Sequence, residues 1–225
     1  MAYFSEEFIR FFEELADNNE RDWFLDNKKR YESHVKKPVE AFVAAMVGLV
    51  QEIDPAVNIT PKEALFRINR DIRFSKDKRP YKTHVGAIIS AAGRRNMQVP
   101  GLYLQLGVDG IMIAGGLYQP DKDNLYQVRK ALAARGGELV TILADPAFRE
   151  MFGELGGEKN KILPKEFKEA AAEMPLIAHK QFFVATPNYH PQLMIQENFP
   201  NFVMDHYRTL RPLNSFLKKA IGLGD

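Results

Sequence analysis

The stretch Leu102-Tyr103-Leu104-Gln105-Leu106-Gly107-Val108, followed by Asp109-Gly110 and then Ile111 to Tyr118, decides the fold class. Leucine occupies every second position, with Tyr103, Gln105 and Gly107 between, which is the period of a strand that buries one face. Asp-Gly is a strong signal for a two-residue reversal, because such turns favour positive φ. The stretch predicts an antiparallel hairpin, with Tyr103 and Gln105 on its non-leucine face.

The sheet extends outward from that hairpin. Upstream, Tyr81 to Ser90 reads as a strand. Before it, Phe66, Ile68, Ile72 and Phe74 alternate with Arg67, Asn69, Asp71, Arg73 and Ser75, predicting a further strand with a wet face. Lys76 to Pro80 is the loop between these two strands, and Ala91 to Pro100 is a basic loop of small residues. Downstream, Gln181 to Thr186 supplies a fifth strand. Helical spacing dominates elsewhere: Phe8, Ile9, Phe11, Phe12 and Leu15 after a Ser5 cap, a second helix capped by Asn19, and a third from Pro38 through Ile53. Pro120 and Asp121 open another helical stretch that Gly136-Gly137 divides, Lys165 to Met174 is a short helix, and Pro200 opens a closing helix that Pro212 must break or bend. The expectation is an α+β fold in one domain over residues 1–225. Residues 1–54 are helical, 64–118 form the sheet core, and 120–225 add helices and one strand. The sheet is mostly antiparallel, has about five strands, and is packed by the N-terminal and C-terminal helices.

Composition bounds the chemistry. Among 225 residues, 45% are apolar, 27% are charged and none is cysteine. Disulfides, Cys-ligated zinc, iron–sulfur clusters and thiol nucleophiles are excluded, and a cytoplasmic protein is expected. The N-terminus has no signal-peptide core, since Glu6, Glu7 and Arg10 interrupt it. The longest clearly apolar, charge-free run, Ala41 to Val50, is far short of the roughly 20 residues that span a bilayer. No membrane role is expected.

Charge is concentrated. From Arg67 to Arg95 there are nine Lys or Arg and two acids, net +7, while the remaining 22 basic and 27 acidic residues carry a net −5. Clustered like charges repel unless an anion or neighbouring acids compensate them. Guanidinium forks match carboxylate and phosphate, so the segment predicts a site for a small anionic or phosphate-containing ligand. Its expected binding residues are Arg67, Asn69, Arg70, Arg73, Lys76, Lys78, Arg79 and Lys82, with Tyr103, Gln105 and Tyr118 from the hairpin. Arg70 falls on the apolar side of the expected strand, which calls for a bulge or an ion pair. His84, with an ordinary pKa near neutrality, is the candidate for proton transfer, and Asp71 would orient an arginine or act as a base.

The run from Arg67 to Gly86, Arg-Ile-Asn-Arg-Asp-Ile-Arg-Phe-Ser-Lys-Asp-Lys-Arg-Pro-Tyr-Lys-Thr-His-Val-Gly, resembles the hallmark segment of domain of unknown function 2461. Further features of that family follow its order: Asn18-Asn19-Glu20-Arg21-Asp22-Trp23-Phe24 with Asn27, Lys28 and Tyr31; Gly101 to Gln105; Gly115 to Pro120 with Leu125 and Arg129; and Phe182-Phe183-Val184. The resemblance spans nearly the whole chain and implies a single intracellular domain. It implies no activity.

Other patterns are weaker. Asn19, Arg21 and Trp23 could form a second wall of the site, although capping for Asn19 and core packing for Trp23 is the plainer reading. The five histidines form no metal-ligand spacing, and Asp71 with Asp77 is too sparse for a two-metal nuclease, so no metal is expected. Ser75 with His84 and Asp77 lacks a nucleophile elbow. Gly115-Gly116 is not a dinucleotide fingerprint and better suits close backbone approach, so no cofactor is expected. Two rival functions use the same basic segment: a nucleic-acid-binding module, and an interaction domain for an acidic protein.

Overall fold

The hairpin forms, with β2 at Gly101–Gly107 and β3 at Gly110–Leu117, and Gly107 pairs with Gly110. Its reversal falls on Val108-Asp109, one residue earlier than the Asp-Gly signal suggests. Only Gly110 takes positive φ, at 116°, whereas a turn centred on Asp109-Gly110 would demand it of Asp109 as well. The structure, a computed structural model, describes residues 2–224, so the two end residues of the expected 1–225 domain lie outside it.

β1, His84–Ile89, pairs antiparallel with β2, and β4, Phe182–Ala185, pairs antiparallel with β3. The order is β1-β2-β3-β4, which corrects the expected five strands to four. The missing strand is the segment from Phe66 to Ser75. It touches its neighbours through two isolated bridges, Leu65 with Ala87 and Asn69 with Tyr81, and then leaves the sheet. The alternation is present, but its second half has no partner. Seven charged residues between Arg70 and Arg79 need water, and Pro80 has no N–H to continue a ladder. Phe74, expected on the apolar face, is 95% exposed.

Helices cover one face of the sheet. In chain order they are α1 Glu6–Asp17, α2 Arg21–Asp26, α3 Lys28–Tyr31, α4 Lys37–Gln51, α5 Pro61–Ala64, α6 Lys122–Ala144, α7 Pro146–Phe152, α8 Lys168–Glu173 and α9 Phe199–Ala220. A π-helical turn, Glu32–Lys36, carries α3 directly into α4, so Pro38 sits in a continuing helix and does not open a fresh one. Gly136-Gly137 does not split α6; the helix kinks at the preceding Arg135 instead. α9 runs through Pro212, contrary to the expected break. Arg208, whose carbonyl loses its partner there, and Pro212 are both exposed, so water can take the bond.

The core lies between α1, α4, α6 and α9 and the sheet face that carries Val85, Ala87, Ile89, Leu102, Leu104, Leu106, Ile111 and Ile113. Phe8, Phe11, Phe12, Phe42 and Phe199 fill it from the helical side. Asn214 of α9 pins helix to sheet: its Oδ1 accepts from Gly116 N at 3.0 Å and its Nδ2 donates to Gly101 O at 3.2 Å.

Candidate functional site

Because helices take one face, the alternate residues of every strand form an uncovered face. The register aligns Gly86, Gln105 and Met112 in one row and Ile88, Tyr103, Ala114 and Ala185 in the next. These rows floor a cavity of about 520 Å³, walled by Phe66, Met97, Tyr118 and Phe183, with Lys82 at its edge. Tyr118 and Phe183 meet edge-on with ring centroids 5.0 Å apart. The lining is almost wholly apolar or aromatic. Its polar groups are few: the Tyr103 hydroxyl, which donates to Gln105 Oε1 at 3.2 Å, the rest of the Gln105 amide, the Tyr118 hydroxyl and the Lys82 amine.

Lys82 decides what the trough can attract. Its backbone N–H donates to Ile68 O, which fixes it beside Phe66, and its Nζ lies 5.5 Å from the Phe66 ring centroid. Among the described residues its amine has neither a hydrogen-bond acceptor nor a carboxylate partner. Burial, and then the Arg67 charge, lower its pKa below the ordinary lysine value. Burial likewise raises the Tyr103 hydroxyl, with Tyr118 adding to the effect, so Tyr103 remains a donor at neutral pH.

Lys82, Tyr103, Gln105 and Tyr118 are thus brought together as expected, but the arginines are not. Arg67 lies across the Phe66 side chain, in a neighbouring groove of about 420 Å³ that also holds Lys36, Lys62, Arg94, Glu40 and Tyr31. Among the described residues Arg67 has no ion-pair partner. The other expected binding residues sit on the outer loop and are largely spoken for within it. Arg73 is held by Asp71 at 2.7 and 3.0 Å, Arg79 by Asp77 at 2.8 Å, and Arg70 by Asp77 at 2.8 Å with Arg79 O at 3.0 Å. Arg70 therefore has its ion pair, made across a loop and not inside a strand. Lys78 donates to Ile72 O, and Lys76 and Asn69 are exposed. The three outer arginines form a self-compensated loop; among the described residues Arg67, Lys76, Lys78 and Lys82 have no ion-pair partner, and of these four Lys82 lines the trough.

The two proton-transfer candidates stand outside the trough. Asp71 is exposed, and the Arg73 guanidinium holds its carboxyl below the usual range, which suits a structural acceptor better than a base. His84 pairs across the sheet with Gly107; burial and the neighbouring Lys82 charge lower its pKa against a smaller opposing effect of Asp109.

Several motif residues prove architectural. Asn19 neither caps α2, whose N-cap is Glu20, nor walls the trough. It is buried and embraces the Tyr81 peptide, donating to its O and accepting from its N, both at 3.0 Å, and so anchors the exit of the basic loop. Trp23 packs against Phe11 at 5.7 Å. Arg129 is buried and donates to the carbonyls of Ile177 and His179. The trough residues not anticipated are Phe66, Gly86, Ile88, Met97, Met112, Ala114, Gly115, Phe183 and Ala185. Met112 and Ala114 were within reach, since the hairpin register sets them opposite Gln105 and Tyr103; Met97 and Phe183 arrive from distant segments.

Among the described residues no group of three or more His, Asp or Glu could hold a metal ion, and no helix is long and apolar enough to cross a membrane. A family model described as "Conserved hypothetical protein (DUF2461)" matches residues 7–216. No curated protein and no solved structure matches the chain.

Proposed function

Starting from a chain that belongs to the DUF2461 family, whose description names no activity, we propose that it binds a small anionic ligand with an apolar body in the open-face trough. The body, aromatic or acyl, lies over Ile88, Ala114 and Met112 between Tyr118, Phe183 and Phe66. The anionic end sits at the Lys82 corner, where Arg67 adds to the positive field. The observation that carries this reading is an unpaired ammonium set into an otherwise apolar cavity. Placing a cation there without a partner costs free energy, which a bound carboxylate, sulfonate or phosphate would return. Cavities of a few hundred Å³ with an apolar lining and few polar groups suit ligands of this size. A cytoplasmic setting belongs to the same proposal and rests on the cysteine-free composition.

The probe is 8-anilinonaphthalene-1-sulfonate, an aromatic body with one sulfonate. It should bind the native protein saturably at one site. Removing the charged contact with Lys82→Gln should weaken binding about tenfold or more, given about 1.5–3 kcal/mol for a charged hydrogen bond. Ala114→Trp should fill the floor and abolish binding. Both variants folded and both binding the dye as the wild type does would overturn the reading.

A second reading has its own observation. The Lys36, Lys62, Arg67 and Arg94 groove supplies cations, and the loop that follows Arg67 in sequence exposes Phe74 with the Arg73 guanidinium 5.9 Å from its ring, the two kinds of group that single-stranded nucleic acid uses. It predicts affinity falling with salt at roughly 0.7 log units per log unit for each phosphate neutralised. A flat salt profile removes it. The same profile, measured with an acidic peptide, addresses a protein partner.

A further inference from the structure

We propose that Lys82 is a nucleophile that forms an imine with a carbonyl compound held in the trough, an aryl or alkyl 2-oxo acid being the ligand class that fits. The inference rests on the trough being a ligand site and names its chemistry. The carboxylate of such a ligand lies at the Lys82 corner in the field of Arg67, which stands across Phe66 in the neighbouring groove and is always charged. This leaves the adjacent carbonyl carbon at the Lys82 amine and the apolar tail over Ala114 and Met112.

Three features of the site serve this step. The amine has no carboxylate partner among the described residues, so its proton is held by no ion pair, and the Phe66 ring 5.5 Å away offers it only a cation–π contact. The charged or titratable groups around it are Arg67 and His84, which disfavour or do not stabilise an ammonium, and the neutral phenols of Tyr103 and Tyr118. The apolar walls of Met97 and Phe183 disfavour charge and, with Phe66, limit water. Burial and Arg67 both lower the lysine pKa, which increases the neutral, reactive fraction.

The step balances without any outside oxidant or reductant. The Lys82 nitrogen lone pair forms a bond to the carbonyl carbon, the carbonyl π pair moves to oxygen, and one nitrogen proton passes to that oxygen through solvent to give a carbinolamine. The hydroxyl, protonated by solvent or by a phenol of the trough such as Tyr103, leaves as water, and the second nitrogen proton returns to that acid to leave the imine. The sum is amine plus carbonyl giving imine plus water. Lys82 as ammonium binds simple anions, and as free amine it attacks carbonyls.

The test uses the intact protein, phenylpyruvate and sodium cyanoborohydride, which reduces an imine to a stable secondary amine, with peptide mapping by mass spectrometry. Lys82 should be modified about tenfold faster at neutral pH than the loop lysines Lys76 and Lys78. Arg67→Gln should slow its modification and shift the pH–rate midpoint upward, because a neighbouring positive charge has been removed. Anilinonaphthalene sulfonate should protect Lys82 and leave Lys76 unprotected. Modification of Lys82 no faster than that of Lys76, in protein that still binds the dye at one site, overturns imine formation and leaves the ligand site standing. Absence of both dye binding and selective modification overturns the two together.

Discussion

Lys218 of α9 and Asp54, just beyond α4, are both more than nine-tenths buried and form an ion pair across the helical layer. Lys218 Nζ donates to Asp54 Oδ2, Asp54 Oδ1 has no hydrogen-bond partner among the described residues, and Arg211, Tyr207 and Ser215 surround the two in a recess of about 170 Å³. Burial, with the Asp54 charge, pushes the Tyr207 hydroxyl up to about 12, so it stays protonated. Breaking a buried pair leaves one charge stranded, so Lys218→Met alone should cost about 3–5 kcal/mol, whereas Asp54→Leu with Lys218→Met should recover most of it. Urea melts of the single and double variants measure this; equal losses in both would mean the pair itself is strongly stabilising. His206 makes a second residue-scale case. Its Nδ1 faces Phe202 O and its Nε2 faces the Tyr189 hydroxyl, both at 2.8 Å, so the neutral ring satisfies both contacts. Burial lowers its pKa below 6.5, as it does for His84 and His179. Below 6.5 the unfolded chain then binds more protons than the folded one. This share of stability is full above 6.5 and is lost as pH falls from there through the folded value. The melting temperature should drop between pH 7.5 and 5.5, and His206→Gln, which can keep both hydrogen bonds but does not titrate, should show a smaller drop. An identical pH slope in the variant would exclude His206 as a contributor.

At the scale of elements, α9 packs directly onto β3 at Gly115. A Cβ at Gly115 would lie 2.2 Å from Leu210 Cδ2 and 2.6 Å from Gly101 O, so neither helix nor strand can accept one without moving. Gly115→Ala should destabilise by about 1–3 kcal/mol through overpacking. Leu210→Ala in the same chain should restore little, because the carbonyl clash remains; full recovery in a denaturant melt would place the strain in the side chain alone. The hairpin, β4, α1 and the start of α6 at the Asp121 cap are legible in the sequence because local pattern and turn chemistry suffice for them. The fifth strand is misread for the opposite reason. Phe66 to Phe74 alternates correctly, but a strand exists only with a partner, and which segments pair is a long-range fact. Asn19 is similar: its side chain caps helices well in general, yet here it is committed to Tyr81, 62 residues away. The continuity of α9 through Pro212 depends on Arg208 and Pro212 facing water, which the sequence alone does not state.

The whole molecule is a two-layer body: helices cover one side of the sheet and the other is left to Phe66, Met97, Tyr118 and Phe183. Four of the thirteen lining residues follow from sequence: Tyr103, Gln105 and Tyr118 because strand alternation sorts the hairpin by face, and Lys82 from the basic segment. The arginines mislead because net charge says nothing about pairing. Asp71 and Asp77 are two acids among nine cations, yet they engage Arg70, Arg73 and Arg79. This asymmetry predicts that adjacent residues of β3 divide stability from binding. Ile113 is fully buried against the helices, so Ile113→Ala should cost about 2–5 kcal/mol from lost burial and the cavity left behind. Met112 points to the other side, is only partly buried and floors the trough. Met112→Ala should cost less than about 1.5 kcal/mol, since no closed cavity forms where solvent already reaches. The dye affinity should respond in reverse: weakened in Met112→Ala, and unchanged in Ile113→Ala under conditions where that variant is folded. Denaturant melts and dye titrations on the two proteins measure both quantities. A Met112→Ala loss as large as that of Ile113→Ala would mean that the open face is packed core and that the trough closes over no ligand.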